Sequence, residues 1–208
     1  MKNIAQTLVS AGIVQTNFKN PFVWTSGIKS PIYCDCRELI SLPEARNTIV
    51  EGFLNEIKQH NLPIDFVAGT ATAGIPWAAF VAERLNVPML YVRSKPKGHG
   101  AGKMVEGRGQ NHQNIVVIED AFSTGNSSIK SAEALRNELE AKVSHVLGIF
   151  TWNQKLVNAN SKKSGLNMVP LTNFDEIIEA LVETGKISDT EKDELVRFHQ
   201  NPSDWWKE

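Results

Sequence analysis

The chain has 208 residues, enough for one sizeable core and a small appendage, and its 41% hydrophobic and 22% charged residues are ordinary for a soluble globular protein. A formal net charge of −1 supplies no global field to attract nucleic acid or an anionic membrane, so neither partner is expected. No apolar stretch approaches the roughly 20 residues a spanning helix needs, and the opening MKNIAQTLVSAG carries Asn3 and Gln6 where a signal peptide is apolar, so a cytoplasmic protein is expected.

In chain order, the pattern predicts a helix at about residues 3–11 and extended segments at 22–24 and 31–35. Gly and Pro content makes residues 1–40 a hood beside the main sheet rather than part of it, with residues 41–208 forming the core and a helical tail. Cys34 and Cys36 lie two apart on the second extended segment, hence on one face, where a mutual disulfide has poor geometry. The five histidines are scattered rather than spaced as metal ligands, so the cysteines read as packing residues. Ser41 with Glu44, and Pro43 in the first turn, signal the next helix, whose buried stripe is Ile49, Val50, Phe53, Leu54 and Ile57. Strands are then expected at 65–68, 89–92, 115–119 and 143–150, with helices at 74–86 and 127–139. A strand at 166–171 and helices from about 174 and 190 close the chain, the last opened by a Ser188/Glu191 capping box, with Trp205 and Trp206 docking the tail. Such alternation predicts an α/β fold, a mostly parallel open sheet with helices on both faces.

Residues 115–128, IVVIEDAFSTGNSS, carry the most chemistry. Four β-branched residues suit a strand buried on both faces, and Glu119 and Asp120 follow at its carboxyl end, where open α/β sheets bind ligands. The small residues Ser123 to Ser128 then open a helix, whose unpaired N–H groups and partial positive charge make a phosphate cradle. The two acids would repel a phosphate and are suited to accept hydrogen bonds from sugar hydroxyls, so the loop describes a ribose phosphate site. An ordinary turn with solvated acids and Ser/Thr caps uses the same residue types. A second small-residue loop, Gly69-Thr70-Ala71-Thr72-Ala73-Gly74, also joins strand to helix and lets backbone approach an anion closely, although alone it is only a tight turn. Residues 94–111 show no periodicity and hold five glycines with Lys95, Lys97, His99, Lys103 and Arg108. That composition fits either a solvated basic linker or a lid ordering over an anionic substrate. GAGKM is no nucleotide P-loop, since Lys97 stands five before Gly102 and Met104 replaces the Ser/Thr that would hold magnesium.

The acid-acid-x3-Thr-Gly fingerprint resembles the phosphoribosyl pyrophosphate motif of type I phosphoribosyltransferases, and three further stretches narrow the resemblance to the orotate phosphoribosyltransferases. They are FVWTSGIKSPIYCDCRELISLPEAR at 22–46, GTATAG at 69–74 and YVRSKPKGHGAGKMVEGR at 91–108, and only about residues 153–166 fall outside the likeness. The resemblance implies transfer of ribose 5-phosphate from phosphoribosyl pyrophosphate to orotate, giving orotidine 5′-monophosphate and pyrophosphate in pyrimidine biosynthesis. It implies catalytic roles for Lys97, Asp120 and Glu119. Phosphoribosyl pyrophosphate would meet Arg93, Lys97, His99, Glu119, Asp120, Ala121, Phe122, Ser123, Thr124, Gly125, Asn126 and Ser127, with Thr70, Ala71 and Thr72 on the pyrophosphate. Asn126 stands where the family often has Gly, and Asn tolerates a left-handed backbone, so the cradle is expected to survive. This chain has Thr25 where some members have a lysine and Thr151-Trp152-Asn153 where they have an arginine. Orotate is therefore assigned to Ser123, Lys29 and Tyr33, with the backbone near 28–30. Mg2+ would ride on substrate oxygens, with no protein ligand, because no dense carboxylate cage is evident. The working unit would be a homodimer with the lid shared across subunits, as the apolar hood residues Phe22, Trp24, Ile28, Ile32 and Tyr33 also suggest. Another nucleobase, or a non-catalytic regulator binding phosphoribosyl pyrophosphate, are the other readings of the same loops.

Overall fold

The structure, a computed structural model, describes residues 3–24, 27–96, 102–203 and 205–206. Its centre is a six-stranded sheet in the order β10-β9-β8-β5-β6-β7, from β5 (Phe66–Thr70), β6 (Met89–Val92), β7 (Val105–Glu106), β8 (Ile115–Phe122), β9 (His145–Thr151) and β10 (Asn167–Asn173). All neighbours pair parallel except β7, an antiparallel edge strand on β6. The consecutive β-branched residues of β8 serve both faces. Val116 and Ile118 enter the larger core beneath α1 (Ile4–Ser10), α2 (Pro43–Gln59), α3 (Gly74–Leu85), α6 (Phe174–Glu183) and α7 (Asp189–Gln200). Ile115 and Val117 face the second core under α4 (Asn126–Leu139) and α5 (Gln154–Ser164). The chain thus has the mostly parallel, doubly covered sheet that the alternation predicts.

Going from β5 to β6 the chain moves one way across the sheet, and from β6 to β8 it returns to the opposite side of β5. The carboxyl ends of β5 and β8 therefore border a topological switch point, where side connections diverge and leave a crevice. The hood adds two small antiparallel ladders outside the main sheet, β1 (Val14–Thr16) with β4 (Ile32–Cys34) and β2 (Phe22–Val23) with β3 (Lys29–Ser30). No helix among the described residues is long and apolar enough to cross a membrane.

Several local expectations need correction. The α2 N-cap is Leu42, without a side-chain cap bond; Pro43 occupies the first helical position, and Ser41 instead closes a 3-10 turn by donating to the Glu38 carbonyl at 2.9 Å. That turn, Cys36–Ser41, starts where the strand was expected to run on, so Cys36 is buried at its first position while Cys34 ends β4, both as free thiols. Residues 94–111 are not wholly irregular, because β7 lies within them. The hood's apolar side chains find partners within the chain: Ile32 is buried, Phe22 lies on Tyr33 at 5.6 Å, and Trp24 sits edge-on to Trp152 at 5.2 Å and Phe198 at 5.7 Å. Among the described hood residues, Val23 is a large apolar side chain left 70% exposed. The Ser188/Glu191 capping box is present. Trp205 docks as expected, donating its indole N–H to the Lys29 carbonyl and packing on Phe198 at 5.7 Å.

Candidate active site

Two loops border the switch point. The first follows β8, which extends three residues beyond its expected end, so Glu119 and Asp120 lie within the strand. Adjacent strand residues point to opposite faces, and the two acids separate accordingly. Glu119, only 4% exposed, turns toward α4, where its carboxylate accepts from the hydroxyls of Ser127 (3.0 Å) and Ser128 (3.2 Å) and from the Asp120 amide (3.2 Å). Burial, reinforced by the negative charge of Asp120, pushes its carboxyl up to about 8. Asp120 remains half-exposed, and its charge reaches the hood, where it helps raise the Cys36 thiol behind the effects of Cys34 and burial.

Gly125, with φ +78°, makes the turn into α4 and has no side chain to cap it, so the first turn of that helix presents its partial positive charge at the loop. The left-handed residue is thus Gly125, and Asn126 is already helical; its side chain type was never required for the turn. Thr124 accepts from the Asn126 amide at 3.3 Å, and the Thr124 carbonyl accepts from the Asn160 side chain at 2.7 Å. Ser123, Asn126 and Ser127 are exposed; Ala121 is half-buried, whereas Phe122 is a core side chain whose carbonyl accepts from the Trp152 amide at 3.0 Å. Ser128, read in the sequence as part of the cradle, is buried on Glu119, and Asn160, on the helix that fills the unfamiliar 153–166 stretch, is a contributor that sequence reasoning missed. Only its place beside the Thr124 carbonyl identifies Asn160, and no motif marks it.

The second loop, after β5, is built by backbone contact. The Ala71 amide donates to the Val92 carbonyl at 2.8 Å, and a Cβ added to Gly74 would lie 2.5 Å from the Ile118 carbonyl, so only glycine lets the loop press on β8. Thr72 is exposed and Ala71 half-buried, while Thr70 is 4% exposed with its hydroxyl unpartnered. A buried hydroxyl without a partner beside such a loop is what an absent ligand oxygen would satisfy. Arg93 follows β6 on the neighbouring strand end, its guanidinium 3.4 Å from Glu106. Two small-residue loops thus follow the neighbouring parallel strands β5 and β8, with Thr70, Arg93 and Asp120 at the same end of the sheet.

The phosphoribosyl transferase domain family matches residues 43–147, which contain both loops. Orotate phosphoribosyltransferase of Cytophaga hutchinsonii is 40% identical over 99% of this chain and 98% of its own length. That of Listeria monocytogenes serotype 4b is 43% identical over the same shares. The chain belongs to the orotate phosphoribosyltransferase family. The crystal structure of the Aeropyrum pernix orotate phosphoribosyltransferase, 30% identical, superposes with a TM-score of 0.76 over 89% of this chain and 99% of that one. Lys29 lies with its ammonium 5.8 Å from the Trp206 ring centre, and the Tyr33 hydroxyl donates to Asp35 at 3.3 Å, so both are engaged within the hood and tail. Trp152, just after β9, packs among Trp24, Phe150 and Phe174 and joins the hood to the sheet end. Lys97 and His99 lie outside the described residues.

Proposed function

We infer that this enzyme transfers the 5-phosphoribosyl group of phosphoribosyl pyrophosphate to orotate, forming orotidine 5′-monophosphate and pyrophosphate in pyrimidine biosynthesis. The observation that carries this reading is the pair of anion loops at one switch point, in a chain at least 40% identical to named orotate phosphoribosyltransferases over nearly full length. The α4 amides with Ser123 to Ser127 hold the 5′-phosphate, and Thr70 to Thr72 with Arg93 hold the pyrophosphate. Breaking the anomeric C–O bond sends its electron pair to pyrophosphate and leaves positive charge on the ribose, which a base nitrogen then captures as its own N–H proton is released. Asp120, half-exposed at the crevice, binds the ribose hydroxyls and offsets that charge; Glu119 acts through Ser127 and Ser128, fixing the cradle. Lys97 and His99 neutralise the leaving group. Mg2+ would be carried by substrate oxygens, the mode of binding usual for this ion with phosphate substrates. When bound there, the ion neutralises the leaving pyrophosphate.

The hood of residues 1–40 covers orotate on a core of residues 41–208, with Ser123 the exposed loop hydroxyl nearest in sequence to the ribose acids. The protein works in the cytoplasm as a homodimer whose lid serves the neighbouring subunit. An absorbance assay with phosphoribosyl pyrophosphate and magnesium tests the base: orotate is consumed, and turnover of adenine, hypoxanthine or uracil in its place refutes the assignment. Mixing inactive Lys97→Ala and Asp120→Asn proteins tests the shared lid. Activity returns toward about a quarter of wild type for random two-fold pairing, and no recovery after proven subunit exchange refutes it.

A further inference from the structure

Glu138 is a carboxylate in the last turn of α4, where the helix dipole disfavours negative charge. It is half-buried, and both its oxygens are used: one accepts from the Met104 amide at 2.7 Å, the other from the Val105 amide at 3.3 Å. Those amides belong to the chain entering β7, the two-residue edge strand. A strand this short pairs weakly by itself, and the side-chain acceptor supplies what an outer neighbour would otherwise give.

What β7 holds is Arg93. The Arg93 amide donates to the Met104 carbonyl at 2.9 Å, Val92 pairs with Val105 and Tyr91 with Glu106, and the guanidinium lies 3.4 Å from Glu106. Arg93 also donates through Nε to the Lys95 carbonyl at 3.3 Å, so its backbone and side chain are both referred to this hairpin base. We propose that Glu138 is a positioning residue for Arg93: by fastening Met104 and Val105 to α4, it sets the arginine beside the β5–α3 loop. The proposal rests on the reading of Arg93 as a pyrophosphate ligand. One helix then serves both ends of the substrate, its first turn cradling the 5′-phosphate and its last turn aligning the cation for the pyrophosphate.

The test uses Glu138→Ala, which removes both acceptors, and Glu138→Gln, which keeps the shape and one carbonyl. Amide exchange at Met104 and Val105 is expected to quicken by about tenfold or more in Glu138→Ala and less in Glu138→Gln. The KM for phosphoribosyl pyrophosphate is expected to rise about tenfold in Glu138→Ala while the KM for orotate stays within about twofold. In an Arg93→Ala background, Glu138→Ala should add nothing further, because residues acting through one another are non-additive. Additive effects, or equal rises in both KM values, would mean that Glu138 merely stabilises the fold and would overturn the proposal. If Arg93→Ala weakens phosphoribosyl pyrophosphate but Glu138→Ala does not, despite faster exchange, the positioning role alone fails. If Arg93→Ala changes nothing, the reading of Arg93 fails and the positioning role with it.

Discussion

The two small-residue loops at the switch point are held in place by different means. The β5–α3 loop is set by backbone contact, with Gly74 against the Ile118 carbonyl and the Ala71 amide on β6. The β8–α4 loop is set by side chains, Glu119 to Ser127 and Ser128, Thr124 to Asn126, and Asn160 to Thr124. A loop fixed by steric contact fails when volume is added and ignores pH. One fixed by hydrogen-bonding side chains tolerates volume but responds to protonation and to loss of single acceptors.

The largest effect should come from volume. Gly74→Ala sets a methyl group 2.5 Å from a carbonyl in the sheet, and neither backbone yields readily. It should lower stability by about 3 kcal/mol or somewhat more in urea unfolding, the upper end of the roughly 1–3 kcal/mol that overpacking usually costs. A loss below about 0.5 kcal/mol, the scale of a surface change, would show that the loop accommodates bulk after all.

Next comes protonation. Below the ordinary carboxyl value of 4.5 Glu119 is protonated folded or unfolded, so its contribution is complete there. Between 4.5 and about 8 the unfolded chain releases the proton while the fold retains it, and stability falls; above about 8 both states are ionised and the loss is complete. The decline is on the order of a few kcal/mol, and Glu119→Gln should flatten it. Urea titrations at several pH values across this window measure both, and a parallel decline in the variant would assign the titration elsewhere.

Much of this was readable in the sequence because it depends on order and periodicity. The β6 boundaries, the switch-point loops and the Ser188 capping box follow from local pattern. Side-chain direction did not. Glu119 and Asp120 look like a pair in sequence, yet β8 continues past them and strand parity sends them apart. A two-residue edge strand such as β7 has no periodicity to detect, and the role of Asn160 exists only through a contact 36 positions away. Ser41 and Glu44 matched a capping box, but the preceding 3-10 turn claimed Ser41 first.

A smaller effect should follow Asn160→Ala, which frees the Thr124 carbonyl: about 1 kcal/mol of stability, the usual worth of one hydrogen bond. Its KM for phosphoribosyl pyrophosphate should rise severalfold with kcat nearly unchanged, since it alters binding of a phosphate remote from the bond that breaks. A drop in kcat at constant KM would place Asn160 in the chemical step.

Thr70→Val should change stability least, because it replaces an unpartnered buried hydroxyl by a methyl group of similar size. That makes it the cleanest partner for Asn160→Ala in one calorimetric comparison of the two loops. Inorganic pyrophosphate and ribose 5-phosphate are titrated separately into the wild type and each variant. The division of labour predicts a crossed pattern: Thr70→Val weakens pyrophosphate and spares ribose 5-phosphate, while Asn160→Ala weakens ribose 5-phosphate and spares pyrophosphate. Equal weakening of both ligands by either variant, or the reverse pattern, would contradict the assignment of one loop to each end of the substrate.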